Sequence, residues 1–172
     1  MKNCRSCKNS KFINLFSLGN MSFTGKFTKN KETNIKKTKI SLVICSKCFL
    51  VQLDRNYNLK YLYNPDYGYR TGINKTMTKH MASIKEVLSS KSNLNPGDHV
   101  LDIASNDATL LNCYNKSIIK VGVDPLVNKY IKYYKNVNYK VSDFFPSKKI
   151  LKKKLKNKFK IITALSVFYD AK

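Results

Sequence analysis

Apolar residues are spaced in different ways along the chain, and each spacing predicts its own elements. Ile73, Met77, Met81, Ile84 and Leu88 recur at three- and four-residue intervals, which draws one apolar stripe and predicts a helix from residue 73 to about 91. The turn NLNPGD (93–98) ends it, because Pro96 and Gly97 resist helix continuation. Beyond that turn, short apolar runs alternate with helical spacing. HVLDI (99–103), KVGVD (120–124) and YKVSDFF (139–145) read as strands, with helices starting near Asp107 and over LVNKYIKYYK. SKKILKKKLKNK (147–158) puts Ile150, Leu151 and Leu155 on one face of an exposed helix. FKIITALSVFY (159–169) is almost wholly apolar, as expected of a strand covered on both faces. Strand–helix alternation with short links predicts an α/β fold built from right-handed βαβ units on a parallel sheet. Residues 1 to about 70 show no long helical period. They carry turn formers and aromatics, as a small β-rich module would.

A hydrophobic share of 42% over 172 residues is enough for a packed core and speaks against wholesale disorder. The formal charge of +23 is carried by lysine far more than by arginine, which occurs only at Arg5, Arg55 and Arg70. Arginine is the side chain suited to bidentate phosphate or base contacts. The lysines spread through every segment in a chain also rich in Asn and Ile, so nucleic acid is not the expected partner. A zinc-ribbon module binding nucleic acid through a lysine-rich surface stays open as the alternative function. No window approaches the ~18 apolar residues of a membrane span, and MKNCRSCKNSKF lacks a signal-peptide core, so no membrane is expected as partner. The expected compartment is the cytoplasm, where cysteines serve as ligands, nucleophiles or packing rather than disulfides.

Four cysteines stand in two pairs, Cys4 with Cys7 in CRSC and Cys45 with Cys48 in CSKC. Two intervening residues let a tight knuckle aim both sulfurs at one metal, and two knuckles complete the tetrahedral thiolate set that zinc favours. The 37 residues between the pairs leave room for a small β-structured insert. A closed four-thiolate shell offers no open position to substrate, so the zinc is expected to be structural. Cys113, alone in an apolar helical context, is assigned to the core.

In a doubly wound sheet, the loops after the strand C-termini line one crevice. Asp102 lies at the end of the first strand, followed by Ser105, Asn106 and Asp107; Asp124 ends the second, and Asp143 with Phe144 the third. Asp124 is placed to accept ribose hydroxyls, and Asp143 with Phe144 to meet an adenine. G-x-G-x-x-G is absent and Asp107 would repel a pyrophosphate, whereas the cationic, phosphate-free S-adenosylmethionine suits an acidic loop. Helix capping is the alternative role for each acid taken singly.

Taken in order, CRSC, CSKCFLVQL, YGYRTGINKTMTKHM, VLDIASNDATLL, VGVDP and ITALSVFYD resemble the S-adenosylmethionine-dependent sugar C-methyltransferase family with an N-terminal zinc-binding domain. The resemblance implies a zinc-binding domain at 1–70, a linker helix and turn at 71–97, and a partial Rossmann-like class I methyltransferase domain at 98–172. It implies zinc on Cys4, Cys7, Cys45 and Cys48. Asp102, Ala104, Ser105, Asn106, Asp107, Asp124, Asp143 and Phe144 would hold S-adenosylmethionine. The substrate would be a nucleotide-linked keto-deoxysugar, methylated on the carbon beside its ketone. Tyr67 and Tyr69 match a segment reaching the sugar site, where a phenol could hydrogen-bond a developing enolate; aromatic packing is their alternative role. His80 receives no catalytic role. Two departures stand out. Ala104 and Ala108 replace the family's loop glycines, which allow positive φ and close cofactor approach. The chain also stops after ITALSVFYD where the family continues, so a fragment lacking the general base is expected, its fourth strand a bare edge open to a second chain completing the sheet.

Overall fold

The computed structural model describes residues 3–22, 30, 34–152, 155 and 158–168. It divides into two compact units, Met1–Gly68 and Tyr69–Lys172. No helix among the described residues is long and apolar enough to cross a membrane.

The first unit is an antiparallel sheet in the order β1 (Phe12–Ser22), β2 (Lys37–Cys45) and β3 (Val51–Leu53). β1 pairs with β2 from Phe12 opposite Cys45 to Ser22 opposite Lys37, with two register shifts. Its buried side chains are few among the described residues: Cys4, Ser41, Val43, Cys45 and Gln52. Ile13, Leu15, Phe16, Leu18 and Met21 are exposed along β1. So thin an apolar core cannot by itself offset the entropy of ordering the strands.

The second unit begins with α1 (Lys75–Ser92), whose N-cap Asn74 accepts hydrogen bonds from the Thr76 and Met77 N–H groups. Met77, Met81, Ile84 and Leu88 lie on its covered side, but Ile73 falls outside the helix in a 3-10 turn and is exposed. The helix stops at Asn93 in the left-handed conformation, before Pro96 and Gly97 are reached. A four-stranded sheet follows in the order β6 (Tyr139–Val141), β5 (Ile119–Val123), β4 (His99–Ile103) and β7 (Phe159–Thr163), every neighbouring pair parallel. Mixed α/β architecture with a small antiparallel sheet and a parallel four-stranded one is therefore the fold, compatible with a Rossmann-like half-sheet. One face of the parallel sheet buries Leu101, Ile103, Val121, Val123 and Val141 with Ile150 and Leu155. On the other face, Gly122 lies close against Ser105, Tyr134 and Leu111.

The helices are shorter than their apolar spacing predicts. α2 covers only Thr109–Asn112, and α3 only Val127–Tyr130 before a 3-10 turn at Ile131–Tyr133. α4 covers Lys148–Lys152; residues 153–154 and 156–157 of the expected helix lie outside the described residues. β6 ends at Val141, and the expected strand from 159 to 169 ends at Thr163 in a turn. β7 alternates instead of being covered on both faces: Ile161 and Thr163 are buried and Ile162 is 59% exposed, because β7 is an edge with β4 as its one neighbour among the described strands.

Candidate functional site

The two cysteine pairs fold into matching knuckles. In the first, the Cys4 N–H donates to the Asn9 carbonyl and the Lys8 N–H to the Cys4 carbonyl, with Lys8 at φ 62°. In the second, the Cys45 N–H donates to the Leu50 carbonyl and the Phe49 N–H to the Cys45 carbonyl, with Phe49 at φ 59°. The same turn built twice brings the four sulfurs within 4.8 Å of one another. Cys4 Sγ lies 3.6 Å from Cys48 Sγ, and Cys7 Sγ 3.6 Å from Cys45 Sγ. Four sulfurs on zinc at about 2.3 Å stand about 3.8 Å apart, so both the donor set and the spacing fit zinc. The Cys48 backbone N–H and the Asn9 amide pull the Cys45 thiol down to about 6, whereas, against the Leu50 N–H, the Cys7 thiol and burial push Cys48 up to about 11; the crowded thiols do not ionise alike until a metal displaces their protons. Cys4, Cys7, Cys45 and Cys48 are thus positioned to hold one structural zinc ion.

In the second unit, the loop after β4 is built from left-handed residues that are not glycine. Ala104, Asn106 and Ala108 have φ of 57°, 47° and 61°. The loop keeps the backbone shape that glycine would give, at a cost of roughly 1–2 kcal/mol for each left-handed alanine. Hydrogen bonds hold it there. Tyr134, fully buried, donates from Oη to the Asn106 carbonyl at 2.8 Å and lies 2.8 Å from Ser105 Oγ. The Asn106 N–H donates to Asp124 Oδ2 at 2.9 Å, tying the loop to the end of β5. A strap at 69–73 binds the other side: Arg70 and the Gly72 N–H both donate to Asp107 Oδ2 at 2.9 Å, and the Thr71 N–H to Asn106 Oδ1 at 2.9 Å. Arg70 also stacks on the Tyr133 ring, 4.1 Å from its centroid. A Cβ on Gly72 would stand 2.8 Å from both Asp107 Oδ2 and Thr109 Oγ1, so only glycine fits the strap there.

The acids behave differently from one another. Asp102 is buried and accepts from Thr163 Oγ1 at 2.6 Å; burial lifts its carboxyl to about 7. Burial likewise raises Asp124 to about 6, with its Oδ1 accepting the Leu126 N–H at 2.7 Å. Asp107 Oδ1 accepts from the Thr109 N–H and hydroxyl. Asp143 accepts from the Phe144 N–H and from Ser147 Oγ ahead of α4. Asp107, Asp124 and Asp143 each accept from residues just beyond themselves, which braces the local turns, but none is the N-cap of the helix that follows: α2 and α3 have Ala108 and Leu126 there, with no side-chain cap bond, and the Lys149 N–H in α4 donates to Ser147 Oγ. Asp124 alone also bridges to the neighbouring strand's loop.

Residues 4–63 match the family model Methyltransf_13, described as "Putative zinc binding domain". The first unit therefore carries a methyltransferase-associated zinc-binding domain. No curated protein matches the chain.

The predicted residues fall into two groups, one in each unit. Cys4, Cys7, Cys45 and Cys48 come together in the first unit. Ala104, Ser105, Asn106, Asp107 and Asp124 gather around one loop in the second, with Asp102 beneath it; Asp143 and Phe144 stand at the end of β6, half-buried. Tyr67 lies in the first unit with its ring 5.2 Å from that of Tyr63, while Tyr69 lies in the second, half-exposed, its carbonyl accepting from Tyr130 Oη. Cys113 is half-buried, its thiol donating to the Thr109 carbonyl. Sequence reasoning missed Arg70, Gly72, Tyr134 and Thr163 around the loop, and Gln52 and Asn9 at the sulfurs. Only YIKYYK carried a signal: three tyrosines in one short helical stretch exceed what a single apolar stripe needs.

Proposed function

We propose that the second unit binds S-adenosylmethionine and that the chain serves methyl transfer, with the zinc ion holding the first unit in shape. The observation that carries this reading is the loop Ala104–Ala108. It keeps three left-handed residues without glycine and stands beside Asp124 at the end of the neighbouring parallel strand. Asp124 would meet the ribose hydroxyls, the loop backbone the methionine portion, and Asp143 with Phe144 the adenine. The absence of a glycine phosphate cradle favours a phosphate-free cofactor. Bound there, S-adenosylmethionine supplies an electrophilic methyl group. The protein's part is to hold that group against a substrate carbon, where proximity lowers the barrier. The residues' order along the chain, shared with sugar C-methyltransferases, makes a nucleotide-linked keto-deoxysugar the proposed acceptor, in the cytoplasm.

Titration calorimetry of the zinc-loaded chain with S-adenosylmethionine and with S-adenosylhomocysteine tests this reading. Saturable binding of either, weakened at least tenfold by Asp124→Ala, is expected. No heat from either ligand at millimolar concentration overturns it.

A further inference from the structure

Gln52 is a buried polar side chain that the zinc ligand set leaves without a role. It sits in β3 at 5% exposure. Its amide nitrogen donates to Cys4 Sγ at 3.3 Å, and its amide oxygen accepts the Arg5 N–H at 3.2 Å. Gln52 follows the second knuckle, yet both bonds go to the first. Asn9 mirrors it. It follows the first knuckle, and its Nδ2 reaches Cys45 Sγ in the second at 3.5 Å while also bonding the Lys11 carbonyl and Ser46 Oγ. Each knuckle therefore sends one amide across to the leading cysteine of the other. The two cysteines that receive an amide, Cys4 and Cys45, are the buried ones. Cys7 and Cys48 are more accessible, and among the described residues neither receives a side-chain amide.

We propose that Gln52 and Asn9 are reciprocal positioning residues of the metal centre, each hydrogen-bonding a buried thiolate of the opposite knuckle and leaving Cys7 and Cys48 as the edge where ligand exchange begins. An N–H···S bond draws charge from a metal-bound thiolate and fixes its direction, so an outer partner of this kind is worth about 10- to 100-fold in metal affinity. Gln52 carries the larger share, because its second bond to Arg5 makes it span the first knuckle.

The cobalt-substituted 172-residue chain tests the assignment, since sulfur-to-cobalt charge-transfer bands report the electron density on sulfur. Gln52→Met keeps length and apolar packing but loses the donor. Its charge-transfer band is expected to move to lower energy, and its zinc affinity in chelator competition to fall about 10- to 100-fold. Asn9→Leu should move both in the same direction by less. Unchanged band energy and affinity within twofold for Gln52→Met would reduce Gln52 to packing and overturn the proposal. The unmutated zinc-loaded chain gives an independent check by mass-spectrometric mapping of N-ethylmaleimide labelling. Cys48 and Cys7 are expected to react before Cys4 and Cys45, and the reverse order overturns the proposal even if a variant fails to fold. A wild-type chain without a tetrahedral tetrathiolate cobalt spectrum would instead sink the zinc reading itself.

Discussion

Both units need left-handed backbone at their functional positions, and both obtain it without glycine, but they hold it by different means. In the first, Lys8 and Phe49 turn the knuckles in a unit whose interior contains little beyond two cysteines, Val43 and two polar residues among the described side chains. Four converging thiolates are what this unit has in place of a core. In the second, Ala104, Asn106 and Ala108 sit above a packed parallel sheet and are tied by Tyr134, Asp124 and the 69–73 strap. A metal can impose a strained turn on a thin structure; without one, a strained loop needs a rigid floor and several hydrogen bonds.

Metal removal should separate the units most sharply. Structural zinc contributes roughly 10–16 kcal/mol in small domains, so chelation is expected to erase hydrogen-exchange protection in β2 and the knuckles while β4 and β5 keep theirs. Equal loss in both units would break the contrast. Within the second unit, Tyr134→Phe should cost about 1–3 kcal/mol in urea unfolding, because it removes the hydroxyl that bonds both the Ser105 side chain and the Asn106 carbonyl. A loss below half that range would mean the loop holds itself.

Asp102 gives the second unit a pH signature of its own. Its carboxyl keeps a proton to about 7 when folded, against 3.8 ordinarily. The folded state therefore binds the extra proton between those values, and stability falls as pH rises from about 4 to about 7. Asp102→Asn should remove the larger part of that slope in urea unfolding and leave the part below about 6 that Asp124 contributes; an unchanged slope would place the titration elsewhere. The smallest effect belongs to the loop alanines. Ala104→Gly should stabilise by about 0.5–1 kcal/mol, the relief of left-handed strain less glycine's entropy cost. Ala108→Gly should gain less, since Ala108 is fully buried and its methyl is lost.

What the sequence made legible follows from how local each signal is. β4 and β5 were read almost to the residue, because their apolar runs end on acids and short polar turns. The knuckles were legible because two cysteines and two spacers define the turn by themselves. Ala104 and Ala108 were legible as occupants of glycine positions, and both are left-handed. Helix lengths were not legible: the apolar spacing in LVNKYIKYYK continues past Tyr130, while its tyrosines are spent on Tyr69, Arg70 and the loop rather than on one helical face. Arg70 with Asp107, 37 residues apart, and Gln52 with Cys4, 48 apart, leave no trace in any local window.

The central division, a metal-held unit with a structural role and a sheet-held unit proposed to take the cofactor, is tested most directly by hydrogen–deuterium exchange of the zinc-loaded chain with and without saturating S-adenosylhomocysteine. The account predicts added protection at residues 104–108 and around Asp124, with none at 4–9 and 45–50. Protection confined to the knuckles, or none anywhere, would contradict it.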